Sequence, residues 1–574
     1  MKSKRESKWE NKWLKFTAIV GLFTILTVIL TYPAVFTLFT HFIGDAGDGS
    51  QNVWNMWWFK KSVFELGQSP YFTNYLHYPH GTTLLLHSLS PLNMILSLPF
   101  GLFLNVEGTY NMIVLFSFVA SGVTMFYLAH YLTKSNIGSI GAGIIFSFSA
   151  YHFAHSIGHV NLLAIQWFPL FILFYIKLLK EGGFKNSILT GVSLILASLS
   201  SWFYLVYGAF LGLILFAYYF KDFLKQKKKI LLILVALGVF LIAVGPIIFT
   251  MIAEASKEPF IGGHPPDFWV ADLSSYFLPG RLSSFGGYFE GIWSNYPGNF
   301  LETSLFLGYV LMIFGAYALV KVKKARKWGI VALISFILSL GSVLWVFGYK
   351  TGIPMPYHFL HRYIPFLDLT GVPARFGFLV NFSFAILFAY AIAHLTKPFL
   401  KKVKNKIFRV FVPVCILLLL IIENLSVPYP VIAVDIPDFY YQMQSDQEQY
   451  SVLEVPMDGR TLYMATIHQK PLIGGYISKM PMSRRNFLQS TPIIASLYSA
   501  ANFHDDGNYS ETENIKQLAN EIFEKYDIKY VIIKTDEHLE FLRDTLELDL
   551  VYDKEMKVFD TGIEPLKANL ESAQ

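Results

Sequence analysis

The chain has 574 residues, of which 54% are hydrophobic and only 15% charged, and its mean hydropathy is +0.44. Soluble domains carry about 25% charged residues, so a water-soluble enzyme is excluded and a polytopic membrane protein is the class that fits. The formal charge is +6 and the one cysteine, Cys415, sits inside an apolar run, which excludes a disulfide framework and a thiolate metal site.

The N-terminal stretch MKSKRESKWENKWLKF is basic and leads into an apolar run longer than a signal-peptide core, with no small-residue cleavage site. It reads as a retained first span. Runs of crossing length, about 20 residues, give eleven predicted spans: Leu14–Phe39, Thr109–Leu132, Ile137–Phe153, Leu162–Leu179, Ser187–Ser201, Phe203–Phe220, Ile230–Ala253, Leu301–Val320, Trp328–Phe347, Phe376–Leu395 and Ile407–Leu425. A further apolar stretch, Leu84–Leu104, is broken by Pro91 and Pro99. If it does not cross, the basic clusters all fall on one side: the N-terminus, Lys134, Lys177 to Lys185, Lys221 to Lys229, Lys321 to Lys327 and Lys397 to Arg409. The opposite loops before residue 430 then hold only Lys60, Lys61, Lys257, Arg281, Lys350, Arg362 and Arg375. Positive charge collects on the cytoplasmic side, so the N-terminus is expected inside and the loops 40–108, 254–300 and 348–373 outside.

After Ser426 the composition becomes soluble-like. YSVLEVPM has strand character, NIKQLANEIFEKYDIKYVIIKT reads as helix, turn and buried strand, and EHLEFLRDTLELDLVYDKEMKVFDTG as helix and two short strands. The expectation is a membrane domain over 1–425 followed by a small extracytoplasmic α/β domain over 426–574. No phosphate-cradling glycine loop and no nucleophile elbow is present.

The chemistry-bearing residues lie in the predicted outer loops. GDAGDGSQNVWNMWW places Asp45 and Asp48 in a glycine-rich turn. Asp48 can cap the following helix by accepting from the backbone of Ser50 or Gln51; alternatively it is a carboxylate poised to take a proton from an acceptor. Gln51, Asn52 and Asn55 share one face of that helix and Val53, Trp54, Trp57 and Trp58 cover another, a pattern that suits the bilayer interface. YPHGTTLLLHSLSPL offers His77, His80 and His87, either as headgroup neighbours or as phosphate contacts. HFAHSIGHVN brings His152, His155, His159 and Asn161 to the end of the third span. Three histidines can bind zinc, but no acidic partner lies in that stretch. In HRYIPFLDLTGVPARFGFL, Arg362 and Arg375 flank Asp368. Arg375 at a membrane edge must be paired or face a cavity; it fits a structural pair with Asp368 or a two-bond grip on a phosphate. Asp267, Asp272 and Glu290 beside Trp269 and Trp293 read as solvated loop or sugar contacts.

A first span, an acidic motif at the start of the first outer loop, many further spans and an outer C-terminal domain together resemble the C-type glycosyltransferase superfamily. The elements that carry the likeness are GDAGDGSQNVWNMWW, YPHGTTLLLHSLSPL, SIGHVNLLAIQWFPL, GVPARFGFL and YMATIHQKPLIGGY. The resemblance implies a polytopic helical enzyme that takes a sugar from a polyprenyl phosphate. It implies Asp48 as the base, with Asp45 orienting it or contacting the acceptor, and Arg375, helped by Arg362 and His80, on the donor phosphate. Asn52, Asn55, His159 and Asn161 would contact acceptor or sugar. The superfamily's loop acids usually stand in tandem, whereas here they are spaced Asp-x-x-Asp. No cofactor is required on this reading; a divalent metal is compatible with it but has no support in the sequence. The expected partners are the lipid-linked donor, a lipid, glycan or protein acceptor, and membrane lipids. The competing classes are a flippase for a lipid-linked glycan and a non-catalytic assembly protein.

Overall fold

An apolar run leaves its backbone polar groups without water, and a helix is the structure that satisfies them within the segment. The computed structural model describes residues 2–44, 47–224, 228–262, 264–265, 267–363, 371–402, 405–502 and 515–564. Among these, seven segments are long and apolar enough to cross a membrane: Lys12–Leu30, Val106–Thr133, Asn136–His155, Val160–Glu181, Trp202–Phe220, Lys229–Ala255 and Pro373–Thr396. The protein is an integral membrane protein of helical architecture.

Two predicted spans are shorter than expected. Leu301–Val320 is helical only over Tyr309–Lys321, and Trp328–Phe347 falls largely in the helix Arg326–Ser339. At 1.5 Å per residue each reaches about 20 Å, short of the roughly 30 Å hydrocarbon core. Gly308, with φ +88°, bounds the first of these helices. The chain after Gly341 leaves the second to form the hairpin Val343–Val346 with Tyr349–Pro354. Phe184–Ser200 and Lys406–Glu423 are also helical. The Leu84–Leu104 stretch contains only the helix Pro91–Phe100, too short to cross.

The third predicted span is interrupted. The helix Asn136–Ser147 stops, and Ser149 caps the next one, Ala150–His155, by accepting from the backbone of His152 at 3.2 Å. The His152 ring fixes the break: Nδ1 lies 2.6 Å from the Ser147 carbonyl, and Nε2 lies 3.1 Å from Ser117 Oγ and 2.9 Å from the Leu163 carbonyl. The predicted span Leu162–Leu179 likewise divides into Val160–Leu163 and Trp167–Glu181. Close helix approach depends on missing side chains. A Cβ on Gly122 or Gly143 would meet the Phe23 ring at 2.2 or 2.4 Å.

Packing divides the chain into two compact units that interleave in sequence. The first comprises Met1–Gly44, Ser90–Pro246 and Gly263–Val431; the second comprises Asp45–Leu89, Ile247–Gly262 and Ile432–Gln574. Asp45–Leu89, expected in the first outer loop, and Ile247–Gly262, expected as the end of the span Ile230–Ala253 and the start of the next outer loop, pack with the C-terminal region. Two features account for that: Phe260–Ile261 pairs with Met480–Pro481, and the helix Asp48–Lys60 packs on the helix Gly459–His468.

The second unit is α/β, built on a four-stranded sheet in the order Asp549–Asp553, Lys557–Asp560, Ile528–Ile533, Ser451–Val455. The last two strands are parallel and the other pairings antiparallel. The helix Ile515–Lys525 precedes the Ile528–Ile533 strand, as the sequence pattern predicts.

Candidate functional site

In the second unit the helix Asp48–Lys60 begins with Gly47 at its cap and Asp48 as its first residue. The expected cap position of Asp48 is therefore corrected by one residue. Its carboxylate instead meets a side chain from far along the sequence: Oδ1 accepts from the Tyr476 hydroxyl at 3.2 Å. Asn52 Nδ2 donates to the Asp48 carbonyl at 2.9 Å, and Gln51 Nε2 donates to the Tyr476 carbonyl at 2.9 Å. Near the helix N-terminus the macrodipole favours the ionised carboxylate.

The aromatic face expected at the bilayer interface is buried within the protein. Gln51, Asn52, Val53, Trp54, Asn55 and Trp58 are all buried, with Trp54 and Trp58 stacked at 5.8 Å. The aromatic face forms core of the second unit because the helix is covered by Gly459–His468. His87 completes the local network. Its Nε2 lies 3.1 Å from Asn55 Oδ1 and its Nδ1 3.0 Å from Ser478 Oγ, while the Ser478 hydroxyl also accepts from the backbone of Ser88 at 3.0 Å. His80 is exposed, with its ring on Phe487 at 4.8 Å and its carbonyl accepting from Arg484 at 3.3 Å. Asp45 lies outside the described residues.

Burial keeps three histidines of this unit neutral. Desolvation lowers His77 to about 3, with Arg484 adding repulsion. Desolvation lowers His87 to about 4 against the opposing pull of Asp48, and His468 to about 3 with help from Lys470. The folded state therefore binds fewer protons than the unfolded chain below the ordinary histidine value. The stability these groups contribute is complete above about pH 6.5 and is lost as pH falls toward 4. Thermal unfolding at pH 5 should accordingly begin well below its temperature at pH 7.5, at fixed ionic strength. A flat profile would contradict the neutral burial of these rings.

The first unit holds a separate polar cluster. Arg375 lies in the short helix Pro373–Phe376 and is buried. Its Nε donates to Glu302 at 2.9 and 3.1 Å and one Nη at 2.5 Å. The guanidinium also lies 4.5 Å from the Phe203 ring. Its partner is thus Glu302; Asp368 lies outside the described residues, as does the side chain of Arg362. Glu302 was not singled out in the sequence, although a lone carboxylate opening an apolar run is itself a signal. His155 Nε2 stands 3.9 Å from Glu302, and His155 Nδ1 faces His159 Nδ1 at 2.8 Å. His155, His159 and Glu302 each offer a ligand atom within 4.8 Å of the others. That donor set suits a divalent ion such as zinc, and the buried His155 Nε2 has no hydrogen-bond partner among the described residues. The acidic partner missing from the histidine stretch comes from a segment more than a hundred residues away. Asn161 is half-buried on the helix Val160–Leu163.

Of the other loop acids, Asp272 is structural. Its carboxylate accepts from the backbones of Ser274 at 2.8 Å, Phe347 at 3.1 Å and Gly348 at 2.8 Å, fastening the 343–354 hairpin. Asp267 pairs with Lys350 at 3.3 Å on the surface.

No family model and no curated protein sequence matches the chain. Solved structures do. ArnT from Cupriavidus metallidurans bound to undecaprenyl phosphate aligns over 96% of this chain and 98% of its own, at 12% identity and TM-score 0.51. The mycobacterial arabinofuranosyltransferase AftD aligns over 96% of this chain at 11% identity and TM-score 0.55, and the match spans 42% of that larger enzyme. AglB, the oligosaccharyltransferase of Archaeoglobus fulgidus, solved with an inhibitory peptide and a dolichol-phosphate, aligns over 92% of this chain and 70% of its own, at 12% identity and TM-score 0.50. The chain shares the fold of AftD, AglB and ArnT over more than nine-tenths of its length.

Proposed function

We propose that the chain is a membrane glycosyltransferase that moves a sugar from a polyprenyl-phosphate carrier to a lipid, glycan or protein acceptor on the outer face of the membrane. The observation that carries this reading is the end-to-end match with ArnT, which covers nearly the whole of both chains. A buried helix that presents a carboxylate at its first turn supports it. The reaction is a single displacement with inversion. The acceptor oxygen or nitrogen forms a bond to the anomeric carbon while the bond from that carbon to the phosphate oxygen breaks. The acceptor proton passes to Asp48, and the electron pair leaves with the polyprenyl phosphate. The Tyr476 hydroxyl orients the Asp48 carboxylate. Arg375 binds the donor phosphate and stabilises it as leaving group, with Glu302 fixing the plane of its guanidinium. His159 and Asn161 contact the sugar.

The charge asymmetry supports an N-terminus inside and residues 426–574 outside. Cysteine introduced at Lys324 is expected to be shielded from an impermeant thiol reagent in intact cells, and at Gln469 to be labelled. Equal labelling would remove the outer-face assignment.

The function is tested by mass spectrometry of lipid-linked and surface glycans in a deletion strain. Loss of one sugar from a surface glycan, restored by the parent gene and not by Asp48→Asn, is the expected result. An unchanged glycan profile would refute it.

A further inference from the structure

We propose that a lysine cluster at one end of the spans Val106–Thr133 and Val160–Glu181 is a binding site for the phosphate headgroup of an anionic membrane lipid. Three ammonium groups converge on one phenol ring: Lys134, Lys177 and Lys180 Nζ lie 5.0, 5.2 and 5.5 Å from the centre of Tyr131. Lys180 also lies 5.6 Å from the Tyr219 ring, and Lys327 lies 4.6 Å from the same ring with its Nζ 2.6 Å from the Tyr219 hydroxyl. The neighbouring carboxylate, Glu181, is engaged by the Tyr131 hydroxyl at 2.6 Å. Among the described residues, the ammonium groups of Lys134, Lys177 and Lys180 form no ion pair.

Cations at the C-terminal ends of helices have an ordinary use, which is to cap the last carbonyls. Here that task belongs to another residue. Lys229 Nζ donates to the carbonyls of Leu179 and Lys180 at 3.0 Å each. The three lysines around Tyr131 therefore outnumber the one carboxylate beside them, Glu181, whose charge acts on Lys177 and Lys180, and leave a net positive cluster. Lys134 and Lys180 are exposed and Lys177 half-buried, so an anion reaches all three. The surroundings suit a lipid rather than a soluble anion. Phe184 is 65% exposed just past the Gly182–Gly183 turn, Leu231 is 65% exposed, and the Leu232 and Lys229 side chains pack against Gly182. An acyl chain rests on that apolar surface while its phosphate meets the ammonium groups. Basic residues beside a membrane span recognise anionic headgroups by this charge complementarity.

The test uses the purified full chain in neutral detergent, titrated with phosphatidylglycerol or phosphatidylcholine and read by native mass spectrometry. The parent chain is expected to retain phosphatidylglycerol at least about tenfold more tightly than phosphatidylcholine, and the Lys134→Gln, Lys177→Gln, Lys180→Gln triple variant to lose that preference. A control triple variant in the second unit, Lys516→Gln, Lys525→Gln, Lys554→Gln, removes the same charge and should keep it. Equal weakening in both triple variants, or equal retention of the two lipids by the parent, would overturn the site. If the first triple variant does not fold, the single variants at the exposed Lys134 and Lys180 carry the same comparison, each with a severalfold loss expected.

Discussion

Asp48→Asn is expected to reduce sugar transfer at least about a hundredfold while leaving donor binding intact. The asparagine preserves size and can still accept from Tyr476, so folding changes little. What it loses is the negative charge and basicity that let the carboxylate take the acceptor proton as the bond to the sugar forms. The helix start and the Tyr476 hydroxyl favour the charged carboxylate, which makes Asp48 a modest base. Such a base suits an acceptor whose proton becomes acidic only in the transition state. Tyr476→Phe should be milder, because it removes one orienting hydrogen bond and no proton acceptor. Asp45→Asn is expected to affect acceptor affinity more than rate. Kinetics with donor and acceptor varied separately distinguish these cases. Transfer by Asp48→Asn at the parent rate would leave the carboxylate as no more than a structural feature of the helix.

The second large effect concerns Arg375 and Glu302. Glu302→Ala should destabilise the first unit by about 3–5 kcal/mol, because the buried guanidinium then has no carboxylate to balance it. Arg375→Ala should cost a similar amount from the other side. The double variant Arg375→Leu, Glu302→Leu should be more stable than either alanine variant, since an apolar pair leaves no buried charge unmatched. Thermal unfolding in detergent checks this ordering; singles as stable as the parent would show that the pair does not hold the fold. Arg375→Lys keeps the charge and loses the planar fork, which also holds Glu302, so a loss of stability is expected with it, and weakened donor binding in the protein that remains folded is the outcome expected for a phosphate contact.

The sequence made the apolar helices and the α/β character of the tail legible, because both rest on local periodicity. It misjudged what depends on distant partners. Trp54 and Trp58 looked interfacial because aromatic belts and buried aromatic faces have the same composition; the covering helix 459–468 lies four hundred residues away. Leu301–Val320 is apolar enough to span, yet its residues 301–308 lie outside the helix, and Glu302 among them pairs with Arg375. His155 and His159 were visible as ligand types, while their carboxylate partner was hidden inside the predicted span. Tyr476 lay in a segment already marked by family likeness, but nothing local tied its hydroxyl to Asp48.

The account's central claim is sugar transfer from a lipid phosphate with Asp48 as base. It is tested most directly by incubating the purified chain in nanodiscs with polyprenyl-phosphate sugars and an acceptor membrane extract, then measuring released polyprenyl phosphate by mass spectrometry. Release that requires both acceptor and the parent protein, and that falls to background with Asp48→Asn, is the predicted result. Donor that stays intact with every sugar tried, or release that is equal with Asp48→Asn, would contradict it.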